Sequence, residues 1–103
     1  MNLTKAEFHV LLVLVEGPCH GYKIMQDVEA ITRGELRLGP GTLYTAIKRL
    51  LTSGTIEECA TDVERRRCYR LTRKGKTLVI QDLRRMSHLV GVARKRGLVI
   101  SPA

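Results

Sequence analysis

A mainly α-helical fold with one small β-hairpin is predicted by three features of this 103-residue chain. Apolar residues recur at helical spacing in three segments before residue 54. Two short β-prone runs follow, joined by a charged loop that ends in Arg65, Arg66 and Arg67. One long amphipathic segment closes the sequence. Three helices, a hairpin with a basic tip and a further helix make the element order of a winged helix-turn-helix plus one C-terminal dimerisation helix. The expected division is residues 1–71 for the winged unit and 72–103 for the dimerisation helix and tail. A chain of this length holds one domain with a modest core.

The elements follow in order. Thr4 with Glu7 is a capping-box pattern at a helix start. Phe8, Leu11, Leu12 and Val15 then make one apolar face, and Gly17-Pro18 stops the helix. A second helix is expected from about His20 to Arg33, with Gly21, Ile24, Met25, Val28 and Ile31 on its apolar face and Gly34 past its end. His20 is read as its capping residue. Leu36-Arg37-Leu38 is an extended link. After the Gly39-Pro40-Gly41 turn, Thr42 is the N-cap or a first-turn residue of a third helix. Leu43, Ala46, Ile47, Leu50 and Leu51 form its buried stripe, and Ser53-Gly54 closes it. Thr55–Cys59 and Arg66–Leu71 are the hairpin strands, with Ile56, Tyr69 and Leu71 inward, and residues 60–64 are the loop.

The last helix is expected from Thr72 to about Arg96. Its Val79, Leu83, Met86, Val90 and Ala93 have the a/d rhythm of a helix that packs along another helix. The three-helix core and hairpin are complete without it. These residues, with Phe8 and Leu12 of the first helix, are therefore assigned to a dimer seam. Gly91 permits close approach there, and residues 98–103 read as a frayed tail.

Charge is distributed unevenly. The formal net charge is +8 and the isoelectric point is near 9.9. Residues 1–35 carry three bases against five acids, residues 62–83 seven bases against three acids, and residues 84–103 five bases and no acid. Such one-sidedness points to a polyanion, most commonly double-stranded DNA. With three Tyr, one Phe and no Trp, there is little material for stacking unpaired bases, which argues against RNA or single strands.

Other function classes find little support. No phosphate-binding glycine loop, paired carboxylates in apolar context or Ser-His-Asp signature is present, so no enzyme and no cofactor is expected. Cys19, Cys59 and Cys68 are odd in number and lack metal-ligand spacing, so no metal site is assigned and the thiols are read as free in a reducing, cytoplasmic setting. Cys59 and Cys68 flank the hairpin and can lie near each other, which keeps a metal- or thiol-responsive sensor as the alternative reading. The N-terminus lacks the pattern of a secretory signal, and the apolar run Val10–Val15 is too short to span a membrane.

The third helix carries the most specific chemistry. Projected as a helix, Thr45, Lys48, Arg49 and Thr52 lie opposite the apolar stripe with Tyr44 on its flank, and no acid is among them. A groove-facing helix avoids acids because phosphates line both walls. Thr42 offers a hydroxyl and a helix N-terminus to phosphate. Lys48 suits a guanine edge or a phosphate. Tyr44 suits either a phosphate contact or packing. Arg49, at the edge of the face, is expected to pair with Glu57 or Glu58. In the wing, Arg65, Arg66, Arg67 and Arg70 outnumber Asp62 and Glu64.

Three segments together resemble the PadR family of bacterial transcriptional regulators. They are Leu11-Leu12-x-Leu14-x-x-Gly17-Pro18-x-His20-Gly21-Tyr22, Leu38-Gly39-Pro40-Gly41-Thr42-Leu43-Tyr44, and Arg66-Arg67-x-Tyr69-Arg70-Leu71-Thr72. The likeness covers about residues 3–80, and the single last helix is similar to the smaller subclass of that family. The resemblance implies a homodimeric repressor on a pseudo-palindromic operator. It makes Thr42, Tyr44, Thr45 and Lys48 groove residues, Arg65, Arg66 and Arg67 wing contacts, and Tyr22 and Lys23 phosphate anchors. It also implies a small aromatic or planar amphipathic effector between the last and first helices of the dimer, where Phe8, Leu12, Met86 and Val90 either line a pocket or are dimer core. Arg73-Lys74-Gly75 departs from the family's frequent Pro-Ala-Gly and adds positive charge.

Overall fold

The computed structural model describes residues 1–60 and 64–101. The middle of the expected wing loop, including Asp62, and the last two residues of the expected tail lie outside them. The elements are α1 (Lys5–Leu14), β1 (Cys19–His20), α2 (Gly21–Ile31), α3 (Pro40–Ser53), β2 (Ile56–Cys59), β3 (Cys68–Leu71) and α4 (Arg73–Lys95). The mainly helical architecture with a small antiparallel sheet and a long last helix is the one the sequence predicts. The sheet has one strand more than expected. Its order is β1-β3-β2, with Cys19 opposite Tyr69 and His20 opposite Cys68 on one side of β3, and Ile56–Cys59 opposite Leu71–Cys68 on the other. Two residues are too few to show an alternating pattern, so β1 exists only through its pairing.

Local capping rules account for most boundaries. The Thr4 amide donates to Glu7 Oε1 at 2.7 Å and the Glu7 amide donates to Thr4 Oγ1 at 3.1 Å, completing the capping box. His20 caps α2, its Nδ1 accepting the Lys23 amide at 3.3 Å. Gly39 is the N-cap of α3, with Pro40 at the first helical position, so Thr42 is a first-turn residue. Gly54 ends α3 in the left-handed region at φ 75°. α2 stops at Ile31, before the expected Arg33, because Arg33 and Gly34 both take positive φ.

The core joins α1, α2, α3 and the sheet through Leu11, Leu14, Ile24, Leu43, Leu50 and Ile56, all almost fully buried. The expected inward strand residues Ile56 and Tyr69 are buried, and Leu71 packs against them. Three expected core positions lie outside it: Val15 and Ile31 are each 51% exposed and Leu51 is 36% exposed. They occupy helix ends or the edge of a stripe, where no partner element covers them. Two seam assignments are corrected in the other direction. Phe8 and Val79 are 8% and 2% exposed within a single chain and belong to its own core. The start of α4 packs on α1, which draws Val79 inward.

Glu7 is buried because its carboxylate serves two elements. Besides the cap, Oε1 accepts from the Arg49 guanidinium at 3.1 Å. This corrects the expected pairing of Arg49 with Glu57 or Glu58. α3 lies across α1, which places Arg49 over Glu7. Glu57 and Glu58 instead pair with Arg70 at 2.6 Å and Arg67 at 3.5 Å.

The first turn of α4 is stitched to the turn between α3 and β2. The Thr72 hydroxyl accepts the Gly75 amide at 3.2 Å and donates to the Gly54 carbonyl at 2.7 Å. The Thr72 amide donates to the Thr55 carbonyl at 3.1 Å. Lys74 Nζ donates to the Ser53 carbonyl at 2.6 Å, so its charge, unfavourable at the start of α4, is placed at the electronegative end of α3. Beyond this turn α4 is sparsely covered. Of its 23 residues only Gly75 and Val79 are buried, while Ile80, Leu83, Met86 and Leu89 are exposed. No helix among the described residues is long and apolar enough to cross a membrane.

Candidate nucleic-acid interface

α3 presents one continuous polar face. Thr42, Tyr44, Thr45, Lys48 and Thr52 are exposed, while Leu43, Ala46, Ile47 and Leu50 hold the opposite side in the core. No acid occurs between Pro40 and Ser53. Among the described residues the Lys48 ammonium has no ion pair. A cation left unpaired at the centre of an acid-free convex face is available to an external anion.

The structure divides the predicted residues between the two flanks of that face. On the α1 side, Thr42 and Thr45 line a cleft with Thr4, Glu7 and Arg49. On the other side, a cavity of about 220 Å³ gathers Tyr22 at the start of α2, Tyr44 on the flank of α3, and Arg66 and Arg67 at the base of the wing. Its remaining walls are His20, Gly21 and Tyr69. Sequence reasoning did not assign His20 and Tyr69 to the interface. Their placement depends on β1, which brings the start of α2 against β3. Burial, and then the Glu58 carboxylate, push the Tyr69 phenol above its ordinary range, so it stays a neutral donor.

Tyr44 resolves into packing and exposure together. It is 51% exposed, yet a Cβ added at Gly21 would stand 2.8 Å from its hydroxyl. The missing side chain at Gly21 therefore makes room for the phenol of Tyr44.

The cations differ in how freely they can turn outward. Lys23 is held by Asp27 at 2.9 Å, and the hydrogen bond and charge of that carboxylate raise its ammonium above the ordinary lysine range. Arg66 reaches Glu64 and Arg67 reaches Glu58, each at 3.5 Å and on the surface. Exposed pairs of this kind contribute about 0–1 kcal/mol, so a phosphate can displace the carboxylates. Arg65 is exposed and takes φ 60°. Among the described residues no group of three or more His, Cys, Asp or Glu is arranged to hold a metal ion.

Known proteins are similar to this chain in sequence and in fold. The sequence model of the transcriptional regulator PadR-like family matches residues 10–81. A transcriptional regulator of Mycobacterium tuberculosis is 31% identical over 83 residues, covering 79% of this chain and 75% of that protein. The chain spans only 26% of a 37.1 kDa protein from a Streptomyces fradiae transposon, with which it shares 34% identity over 91 residues. A PadR family transcription regulator from Clostridium difficile superposes with a TM-score of 0.76 at 24% identity, covering 89% of this chain and 97% of that one. Bacillus subtilis PadR, solved with operator DNA, superposes with a TM-score of 0.67 at 22% identity over 75% of this chain and 45% of its own. These last two likenesses carry the winged-helix fold. By the match to 10–81 and the mycobacterial relative, this chain belongs to the PadR-like family of transcriptional regulators.

Proposed function

We propose that the chain is a homodimeric repressor that reads a pseudo-palindromic operator in double-stranded DNA and is released by a small aromatic effector. The observation that carries the DNA reading is the acid-free face of α3, with Lys48 unpaired at its centre among the described residues. Thr45, Lys48 and Thr52 meet base edges and the adjacent backbone in the major groove. Tyr22, Tyr44, Arg66 and Arg67 close on a flanking phosphate, and Arg65 extends along the wing. Thr42 sits in the first turn of α3, where free amides and its hydroxyl favour an anion. Lys23 joins them by exchanging Asp27 for phosphate.

Dimerisation is supported by α4. Leu83 and Met86 are exposed along a helix of 23 residues that one chain leaves mostly bare. An apolar stripe of that length on a free surface favours a second copy. Val90, Ala93 and the half-buried Leu12 extend the same seam. Two such units on a two-fold axis present their α3 helices to half-sites about 34–36 Å apart. The effector belongs between α4 and α1, against Leu12, Met86 and Val90. Phe8, being in the core, supports that wall from behind.

The test is binding to a labelled duplex from upstream of the chain's own gene, against a scrambled duplex, across a salt series. The expected result is tight binding to the first and weak binding to the second, with a log–log salt slope of about −0.9 per phosphate neutralised. Equal affinity for both would sink the sequence-specific reading. Gly21→Ala gives a finer check. The new methyl displaces the Tyr44 hydroxyl, so operator affinity is expected to fall about three- to tenfold, the worth of one hydrogen bond. Circular dichroism should show the fold retained. Unchanged affinity would remove Tyr44 from the contact.

A further inference from the structure

The sheet brings two thiols face to face at the neck of the wing. Cys59 and Cys68 are directly opposed at the end of the β2–β3 ladder. Opposed residues of an antiparallel pair point to the same face, with Cα atoms about 4.5 or 5.5 Å apart. Both spacings fall inside the Cα range of about 4.4–6.8 Å that a disulfide spans. Alternation along the strands puts this pair on the outer face, beside the Glu57–Arg70 ion pair, while Ile56 and Tyr69 hold the inner face in the core. Both cysteines are half-buried, hence reachable, and both are free thiols. Cys19 is opposite Tyr69 and buried, so it lies on the core side and is separated from the pair by the sheet itself. Burial, followed by the nearness of Cys68, pushes the Cys59 thiol above its ordinary range, so Cys59 rests protonated.

We propose that Cys59 and Cys68 are a modification site, closed by hydrogen peroxide into an intramolecular disulfide across the neck of the wing. One sulfur, as thiolate, attacks a peroxide oxygen. An S–O bond forms, the O–O bond breaks, and the departing hydroxide takes a proton and leaves as water. The second thiol then attacks the sulfenic sulfur. The S–S bond forms, the S–O bond breaks, and a second water carries away the remaining oxygen and protons. Two electrons pass from the sulfur pair to the peroxide, so hydrogen peroxide and two thiols yield a disulfide and two waters. The ring that closes encloses residues 60–67 and with them Arg65, Arg66 and Arg67. The modification thus acts on the wing and leaves α3 untouched. Disulfides inside reducing cells are characteristically transient and regulatory, which suits a reversible bond at an exposed loop. Strand register brings these two thiols together whatever the wing binds.

The experiment treats the reduced full-length chain with a small excess of hydrogen peroxide and reads intact mass and a tryptic digest. The expected result is loss of two hydrogens per chain, located to the Cys59 and Cys68 peptides and reversed by dithiothreitol. Cys19→Ala should retain it. Cys59→Ser and Cys68→Ser, each checked for native helicity, should both lose it. Oxygen added to single cysteines without loss of two hydrogens, a bridge that includes Cys19, or bridges between chains would each overturn the proposal.

Discussion

Gly75→Ala is expected to lower the unfolding free energy by about 3 kcal/mol, one of the largest effects of any single methyl in this chain. A Cβ at this position would collide with the Thr55 carbonyl oxygen and stand 2.7 Å from Leu71 Cδ1. The Thr55 carbonyl cannot yield. The Thr55 carbonyl accepts the Thr72 amide, and the Thr55 hydroxyl, fully buried, donates to the Leu50 carbonyl at 3.1 Å. Moving α4 away would also break the Thr72–Gly54 and Lys74–Ser53 hydrogen bonds, each worth about 1 kcal/mol. For a domain of this size the melting temperature should fall by roughly 12–24 °C. A thermal or urea denaturation measures it directly. A loss below about 1 kcal/mol would mean that α4 does not dock on the α3–β2 turn as described.

Lys48→Ala and Arg49→Ala are expected to separate binding from stability, although the residues are adjacent. Lys48 faces outward from α3 with no ion pair among the described residues, so its removal leaves the fold intact. Operator affinity should drop by about 1–3 kcal/mol, roughly tenfold to hundredfold. Arg49 turns to the α1 side and balances a Glu7 carboxylate that is 2% exposed. Its removal strands a buried charge, which costs about 1–3 kcal/mol of stability, less than for a fully enclosed pair because the guanidinium is half exposed. Its effect on DNA affinity should be small. Anisotropy with the operator duplex and thermal denaturation of both variants decide the matter. If Arg49→Ala weakened binding while Lys48→Ala lowered stability, the outward face of α3 would be misassigned.

Most boundaries were legible because their causes are local. The Thr4–Glu7 box, the Gly17-Pro18 stop, the His20 cap of α2 and Gly54 closing α3 each arise from residues within a few positions of one another. The strand β1 was not legible, since two residues carry no period and become a strand only when Tyr69 and Cys68 arrive beside them. The seam assignment for Val79 had the same weakness. The a/d rhythm marks which residues share a face but not which part of that face the chain's own α1 will cover.

The candidate interface shows the same division residue by residue. That α3 bears Thr45, Lys48 and Thr52 opposite an apolar stripe, with no acid among its own residues, follows from the sequence and helical periodicity alone. That the wing would be basic follows from Arg65-Arg66-Arg67. The partner of Arg49 did not follow, because Glu7 lies 42 positions away and competes with Glu57 and Glu58, which are nearer in sequence. Nor did the gathering of Tyr22, Tyr44, Arg66 and Arg67 around one cavity, or the space that Gly21 leaves for a phenol. The helices, the polar face of α3 and the basic hairpin are written in the chain, because each is set by backbone sterics and short-range periodicity. The tertiary structure alone decided which charges pair, which apolar residues are spent within one chain, and which side chains from distant segments meet. Those outcomes depend on how packed elements cross, and the crossing is set by the whole core.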